Sequence, residues 1–356
     1  MFSMALYIMV VLSAFVIAFL LTPLAIKAAF KLGAIDKPDQ RKVHHQAMPR
    51  LGGLAIFAGF MIATLLGTWG NPAFYGILAG GVIIFLVGML DDIYQLSPWV
   101  KLAGQCLAAA VAMYFGVIVH FVTNPFDGLW ALGYLSLPLT FLWIVGVTNA
   151  INLIDGLDGL AGGVSAIAAA TMGIVALLHG QTAVAMTAFI LVAAIAGFLP
   201  YNFHPARTFM GDGGSNFLGF VLACLAVMGT AKSAAVISLF VPIVILGIPI
   251  FDTFFAIIRR MLKRAPIFMP DKDHLHHRLM ALGLSHRRSV LIIYGISAFF
   301  GGTAVVLSLI TSPKASLILA LLLLLVVIGA DRIGMFTGKT PQLGAQVAKP
   351  PHHVEM

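Results

Sequence analysis

Charge is what this sequence has least of. Asp, Glu, Lys and Arg make up 10% of its 356 residues, and glutamate occurs once, as Glu355. A soluble globular chain carries about 25% charged residues, so a water-covered globule is excluded. Cysteine is as scarce: Cys106 and Cys224 both fall inside apolar runs, where they read as inert thiols that say little about redox compartment. No P-loop and no dinucleotide fingerprint is present, which argues against an ATPase or a nicotinamide-dependent redox enzyme. Nor does any period of about 20 to 50 residues mark a repeat array.

What fills the chain instead is hydrocarbon. Apolar residues make up 60% of it, and the mean hydropathy is +1.02. Eleven apolar runs lie at about 5–26, 51–68, 74–90, 102–122, 133–148, 160–178, 182–199, 215–231, 235–258, 289–311 and 315–331. A run of about 20 residues crosses roughly 30 Å of bilayer. The expected fold is therefore an all-α polytopic membrane protein with about eleven transmembrane helices. Residues 1–333 are expected to form a single transmembrane catalytic domain, and residues 334–356 a disordered tail in which His352 and His353 carry no role. The first run lacks a charged leader and reads as an uncleaved span.

Orientation follows from the basic residues, which cells retain on the cytoplasmic side of short loops. None precedes the first run, whereas Lys27, Lys31, Lys37, Arg41, Lys42 and Arg50 follow it. The N-terminus is thus expected outside and the C-terminus in the cytoplasm. That alternation leaves only Lys232 and Lys314 of the 21 basic residues outside. A basic face among anionic lipids accounts for the net charge of +8, and no nucleic acid is implied.

The outward connections, such as TWGNPAF, HFVTNPFDGLW and HGQ, are short and bland, with no fold or chemistry expected of them. The inward ones hold twelve of the thirteen acidic residues and nine of the eleven histidines. The functional face is therefore expected on five cytoplasmic segments, 27–50, 91–101, 149–159, 200–214 and 259–288.

Five constellations stand out there. Asp91 and Asp92 are adjacent at the end of the third span, where carboxylates repel unless a cation pairs them; the alternative is the cap of the next helix, which begins near Lys101. The stretch NAINLIDGLDGLAGG places Asn149, Asn152, Asp155 and Asp158 three residues apart. On a helix that spacing lets all four face one cavity, whereas its glycines alone would serve close helix packing. In YNFHPARTFMGDGGSNFLG, glycines flank Asp212 near Arg207, and Ser215 is an expected N-cap; such a helix start offers amides to an anion. The loop RRMLKRAPIFMPDKDHLHHRL carries His274, His276, His277 and Arg278, suited to diphosphate oxygens; zinc is the rival reading, although no HExxH or CxxC accompanies it. The first loop mixes Asp36, Asp39, Arg41, Lys42, His44 and Arg50, and also serves as a topogenic basic loop. Asp252 is a lone intramembrane carboxylate that needs a partner or a task. It lies in a span that Pro242, Gly247 and Pro249 are expected to kink.

Clustered aspartates with basic residues and histidines on one face suit phosphates held by a hard divalent cation. Phosphoryl transfer needs mainly positioning and charge neutralisation. A secondary transporter is the rival from another class, but its polar groups belong near the midplane in two related halves. An intramembrane aspartyl protease needs a glycine where Phe209 stands.

In order, PRLGG at 49–53, DD at 91–92, NxxNxxDGxDGL at 149–160, MGDGGS at 210–215, PxxDT at 249–253 and HLHHR at 274–278 resemble the polyprenyl-phosphate N-acetylhexosamine-1-phosphate transferases (glycosyltransferase family 4), in the WecA- and TagO-like branch. The resemblance spans nearly the whole chain. It implies a bacterial cytoplasmic-membrane enzyme, in related cases often a homodimer, that uses Mg²⁺ or Mn²⁺. The implied reaction moves N-acetylglucosamine 1-phosphate from UDP-N-acetylglucosamine, or another UDP-N-acetylhexosamine, to undecaprenyl phosphate, releasing UMP. The implied pathway is a cell-surface glycan or teichoic acid. The resemblance also implies residue roles: Asp91, Asp92 and Asp212 are catalytic, Asp91 as base or orienter of the lipid phosphate. Asp212, Asp92, Asn152 and Asp155 are implied around the metal. Asn149, Asp158, Lys101, Arg207, His274, His276, His277, Arg278, Asp252, Arg50 and His44 are implied to bind substrate.

Overall fold

The computed structural model describes residues 4–36, 47–67, 72–123, 129–230, 240–264, 273–310 and 312–335. His44, Asp39 and most of the tail expected at 334–356 lie outside the described residues. The helices are α1 (Met4–Leu32), α2 (Gly53–Gly67), α3 (Pro72–Tyr94), α4 (Pro98–Tyr114), α5 (Ser136–Leu153), α6 (Leu160–Leu178), α7 (Thr182–Asn202) and α8 (Gly211–Thr230), then α9 (Phe240–Ile245), α10 (Gly247–Leu262), α11 (Leu275–Ala281), α12 (His286–Leu309) and α13 (Ser312–Arg332). Every expected span has a helical counterpart. Eight of these helices are long and apolar enough to cross a membrane, which makes the chain an all-α polytopic membrane protein. α2 is an apolar helix of 15 residues, and α4 has 17. The ninth span is interrupted at Leu246, between α9 and α10, which is the expected kink: Leu246 N still donates to Pro242 O at 2.9 Å and Ile250 N to Leu246 O at 3.1 Å across it. Pro249 lacks the N–H that a continuous helix needs there.

A helix spans hydrocarbon because its backbone satisfies itself, and here the hydroxyls follow suit. Thr140, Thr148 and Thr187 donate to the carbonyls of Ser136, Ile144 and Ala183, one turn back. The bundle is built around α8. Of its apolar window 89% is buried, against 17% for α1 and α13, so α8 is the axis and those two present leucine faces such as Leu20, Leu24, Leu317 and Leu324 outward. Phe217 of α8 meets Phe57 of α2 and Phe85 of α3 edge-on, while Phe57 and Phe85 stack with centroids 4.2 Å apart. Such aromatic contacts fix three helices to one another.

Above that aromatic layer the helices approach through glycine. A Cβ at Gly88 of α3 would lie 2.5 Å from the Asp212 carbonyl oxygen, and one at Gly53 of α2 would run into Gly214 of α8. The backbones of PRLGG and TFMGD are also joined directly. Phe209 N donates to Pro49 O at 2.8 Å, Gly52 N to Phe209 O at 3.0 Å and Gly53 N to Met210 O at 2.9 Å.

The first inward loop is closed by a two-residue antiparallel pair, β1 (Ile35–Asp36) with β2 (Met48–Pro49), which delivers Arg50 to the same end of the bundle. At the opposite end a connection that was expected to lie outward and carry no fold does fold. Phe121–Thr123 (β3) pairs antiparallel with Leu129–Ala131 (β4), Val122 opposite Trp130; the aromatic and β-branched residues of β3 favour a strand.

Gly88→Ala is expected to lower the melting temperature of the detergent-purified chain, since overpacking a tight contact costs about 1–3 kcal/mol. Gly146→Ala, where the added carbon meets nothing within 4 Å, is expected to leave it unchanged or slightly higher. Equal melting of the two variants would show that the α3–α8 approach is not tight.

Candidate active site

The ends of α3 and α5, the starts of α2, α4, α8 and α12, and α11 all lie at one end of the bundle, where the polar motifs gather. The first element there is a cap. Asp92 accepts from Asp212 N and Gly213 N, each at 3.0 Å, so the free amides of α8 are met by a carboxylate of α3. The helix therefore starts at Gly211, whose φ of +74° only glycine adopts freely. This corrects two expectations. Ser215 is not the N-cap but lies one turn inside, its hydroxyl donating to Gly211 O at 3.0 Å. The anion at this helix start, moreover, is Asp92.

Two cations stitch the carboxylates together. Lys101 Nζ lies 2.9 Å from Asp91 Oδ2 and 3.0 Å from Asp212 Oδ2. Arg50 lies 3.4 Å from Asp92 and 3.5 Å from Asp212. Burial works against the Arg50 charge, but Asp92 and Asp212 outweigh it and hold the guanidinium above its ordinary pKa. Asp91 is oriented by Leu96 N, which donates to its Oδ1 at 2.8 Å.

Asp155 completes the cluster from the turn between α5 and α6. Its carboxylate has no hydrogen bond or ion pair among the described residues. Burial, with Asp212 and Asp92 adding their negative charge, pushes it up to about 7. Among the described residues, four aspartates thus gather around two cations, Arg50 and Lys101, so carboxyl groups outnumber the basic groups beside them. A divalent oxygen-seeking cation matches both that excess and the donor set. Asp212 and Asp155 fit its ligand role. Asn152 fits as well, because its Nδ2 goes to Ser215 Oγ at 2.9 Å and leaves the amide oxygen. Asp92 fits less well, since its two oxygens serve α8.

Behind the carboxylates runs an amide chain. Asn149 and Gln105 exchange two hydrogen bonds of 2.7 and 3.1 Å, Gln105 reaches Asn216 at 3.0 Å, and Asn216 donates to Asp212 O at 2.7 Å. Gln105 and Asn216 were not among the expected site residues. The signal was present in Gln105, a lone amide within the apolar run LAGQCLAAA.

The histidine loop divides into support and site. Asp252 finds its partners here: His274 Nδ1 lies 2.8 Å from its Oδ2, and Leu275 N donates to its Oδ1 at 2.8 Å, which caps α11. Asp273 pairs with Arg278 at 2.7 Å and lies near the buried Arg259 and Lys263. Asp252, His274 and Arg278 therefore hold α11 in place. What they present is His276, whose ring lies against Gly156; a Cβ there would sit 2.5 Å from Nε2. Burial, reinforced by His277, drives His276 down to about 3, so it is neutral at ordinary pH. His277 lies beside it, ring centroids 4.2 Å apart. Arg207 is exposed, and Asp158 is bound to His204 and to Ala206 N, so neither joins the cluster around Asp212.

Comparison with known proteins agrees with this arrangement. The model of glycosyl transferase family 4 matches residues 74–230, which carry all four aspartates. The chain is 46% identical over 322 residues, 90% of each chain, to a Bacillus subtilis (strain 168) protein named "Probable undecaprenyl-phosphate N-acetylglucosaminyl 1-phosphate transferase". It is 36% identical to the Mycobacterium tuberculosis (strain CDC 1551 / Oshkosh) "Decaprenyl-phosphate N-acetylglucosaminephosphotransferase", covering 83% of this chain and 81% of that one. A Salmonella typhi "Undecaprenyl-phosphate alpha-N-acetylglucosaminyl 1-phosphate transferase" is 32% identical, with 79% and 78% covered.

Asp155, half-buried, and His276, buried, set opposing pH dependences in buffer free of divalent cations. Asp155 keeps its proton in the folded state up to about pH 7 but from an ordinary value of 3.8 when unfolded, so it costs stability as pH rises through that window. His276 stays neutral when folded, with an ordinary value of 6.5 when unfolded, and costs stability as pH falls below it. From about pH 5 to about pH 7, Asp155→Asn is expected to gain in melting temperature on the parent, and His276→Gln to lose ground on it. Melting curves that stay parallel to the parent for both variants would contradict these environments.

Proposed function

Because the chain belongs to the polyprenyl-phosphate N-acetylhexosamine-1-phosphate transferases of glycosyl transferase family 4, we propose that it transfers N-acetylglucosamine 1-phosphate from UDP-N-acetylglucosamine to undecaprenyl phosphate. The products are undecaprenyl-diphosphate-N-acetylglucosamine and UMP. The relatives' names support the acceptor and the transferred group. The observation that carries the reading is Lys101 held between Asp91 and Asp212 at 2.9 and 3.0 Å, in a cluster where carboxyl groups outnumber basic groups at one end of a membrane bundle. Such a site takes a cation together with the phosphates it neutralises.

In this mechanism an oxygen of the lipid phosphate attacks the sugar-bearing phosphorus of the donor. That P–O bond forms while the bond to the UMP oxygen breaks, and UMP leaves with the electron pair. No proton need move, because the lipid phosphate is already largely ionised near neutral pH. Asp91 acts by position: it holds Lys101, and Lys101 holds the incoming phosphate in line with the diphosphate. Asp92 and Arg50 fix the start of α8, and with it Asp212. Asp212, Asp155 and the Asn152 oxygen would hold Mg²⁺, which when bound neutralises the diphosphate and favours departure of UMP. Neutral His276 and its neighbour His277 face the donor as hydrogen-bond partners, kept in place by Asp252 and Asp273. The active site faces the cytoplasm, where sugar nucleotides are found, and the basic loops at this end favour that side.

Purified protein given UDP-N-acetylglucosamine, undecaprenyl phosphate and Mg²⁺ is expected to release UMP. Asp212→Asn and Asp91→Asn are each expected to cut turnover by about 100-fold or more while melting as the parent does. Absence of UMP with every UDP-sugar tried, alongside solute flux in proteoliposomes, would replace this reading with a transporter.

A further inference from the structure

The last span is peripheral along its length but not at its end. Only 17% of the apolar window of α13 is buried, yet Ala330 and Met335, in and just after its last turn, are 5% and 2% exposed. The helix closes on Gly334, whose φ is +73°. Met335 N donates to Ala330 O at 2.8 Å and Gly334 N to Asp331 O at 2.9 Å, the paired bonds by which a glycine ends a helix. That turn presents the Met335 carbonyl to α10, where Arg259 Nη1 donates to it at 2.6 Å.

Among the described residues Arg259 is the largest fully buried side chain, 1% exposed. A guanidinium so placed is costly unless its donors are met. Met335 O meets one, and Asp273 Oδ2 lies 3.7 Å from its Nε. The other oxygen of Asp273 takes Arg278 Nη2 at 2.7 Å. A run of polar contacts thus leads from the end of α13 through α10 to α11. A second link is apolar: Phe255 of α10 clusters with Ala330 and Met335, and Leu275, at the start of α11, packs against that cluster.

α11 has seven residues, too few to hold a helix in water unaided, so its neighbours set its place. Asp252 of α10 holds its start, and Asp273 and Leu275 add the end of α13 to that support. We propose that the C-terminal turn of α13, residues 330–335, braces α11, with Arg259 as the positioning residue between them, and, on the reading of His276 as a donor contact, that this brace sets donor affinity. His276 lies against Gly156, next to Asp155, and a small tilt of α11 moves it off that turn. A span at the edge of the bundle is thereby needed at its polar end.

Hydrogen–deuterium exchange read by mass spectrometry tests the brace on the full chain in detergent, on a chain ending at residue 336, on one ending at residue 332 and on Arg259→Gln. Amides of α11 are expected to exchange about 10-fold faster in the last two and at the parent's rate in the chain ending at 336, with α6 alike in all four. Given UDP-N-acetylglucosamine, undecaprenyl phosphate and Mg²⁺, the same two are expected to show a donor KM raised about 10-fold and a kcat within about twofold of the parent. Arg259→Lys, which keeps the charge but not the fork, is expected to fall between the parent and Arg259→Gln. Because Arg259→Gln leaves α13 whole, it decides the matter if the chain ending at 332 does not fold. Equal α11 exchange in the parent and Arg259→Gln, or in the two shortened chains, overturns the brace; faster exchange with an unchanged donor KM overturns its part in donor binding. Absence of UMP from the parent faults the functional reading alone, because exchange needs no turnover.

Discussion

Everything at the polar end of this bundle depends on one carboxylate meeting one helix start. Asp92 of α3 takes the Asp212 and Gly213 amides, in the first turn of α8, at 3.0 Å each, where the helix dipole favours a negative charge. α8 is the most buried helix of the molecule, so fixing its start fixes Asp212 relative to every neighbour. The contact exists only because Gly88, Gly211, Gly213 and Gly214 let three backbones come together. Arg50, delivered by the short β1–β2 pair, then offsets the carboxylates gathered there.

Around that point the structure is built in two tiers. Asp91, Asp155, Asp212 and Lys101 form the candidate catalytic tier, in which carboxyl groups outnumber the lysine. The amide chain Asn149–Gln105–Asn216 and the pairs around Asp252 and Asp273 form a satisfied tier behind it. Buried polar groups are costly unless paired, so the fully paired groups read as framework, and Asp155, without a partner for its carboxylate among the described residues, as the candidate binding position. Asp252 illustrates the difference. Alone in an apolar span it looked like a site residue, yet both its oxygens are committed to α11.

Much of this was legible beforehand. Each hydropathy run coincides with a helix among the described residues, because hydrocarbon leaves the backbone no alternative to the helix. The motifs were found on the right connections because polar residues in such a chain are too expensive to be incidental. Less legible were the β3–β4 pair and the true start of α8. Each depends on a neighbour distant in sequence or on local backbone geometry that composition does not record.

The sequence by itself determined the class of the molecule, which polar motifs gather at one end of it, and the residue types found there. Hydrophobic length and the scarcity of charge are one-dimensional properties, readable without a fold. Only the tertiary structure decided the division of labour among similar residues. Asp92 caps a helix, Asp252 holds a loop, Asp158 pairs with His204 and Asp155 is left underpaired, although all four are aspartates beside apolar runs. That division is a matter of distances between segments up to 120 residues apart, such as Asp92 and Asp212, and electrostatics at 3 to 4 Å has no counterpart in sequence spacing.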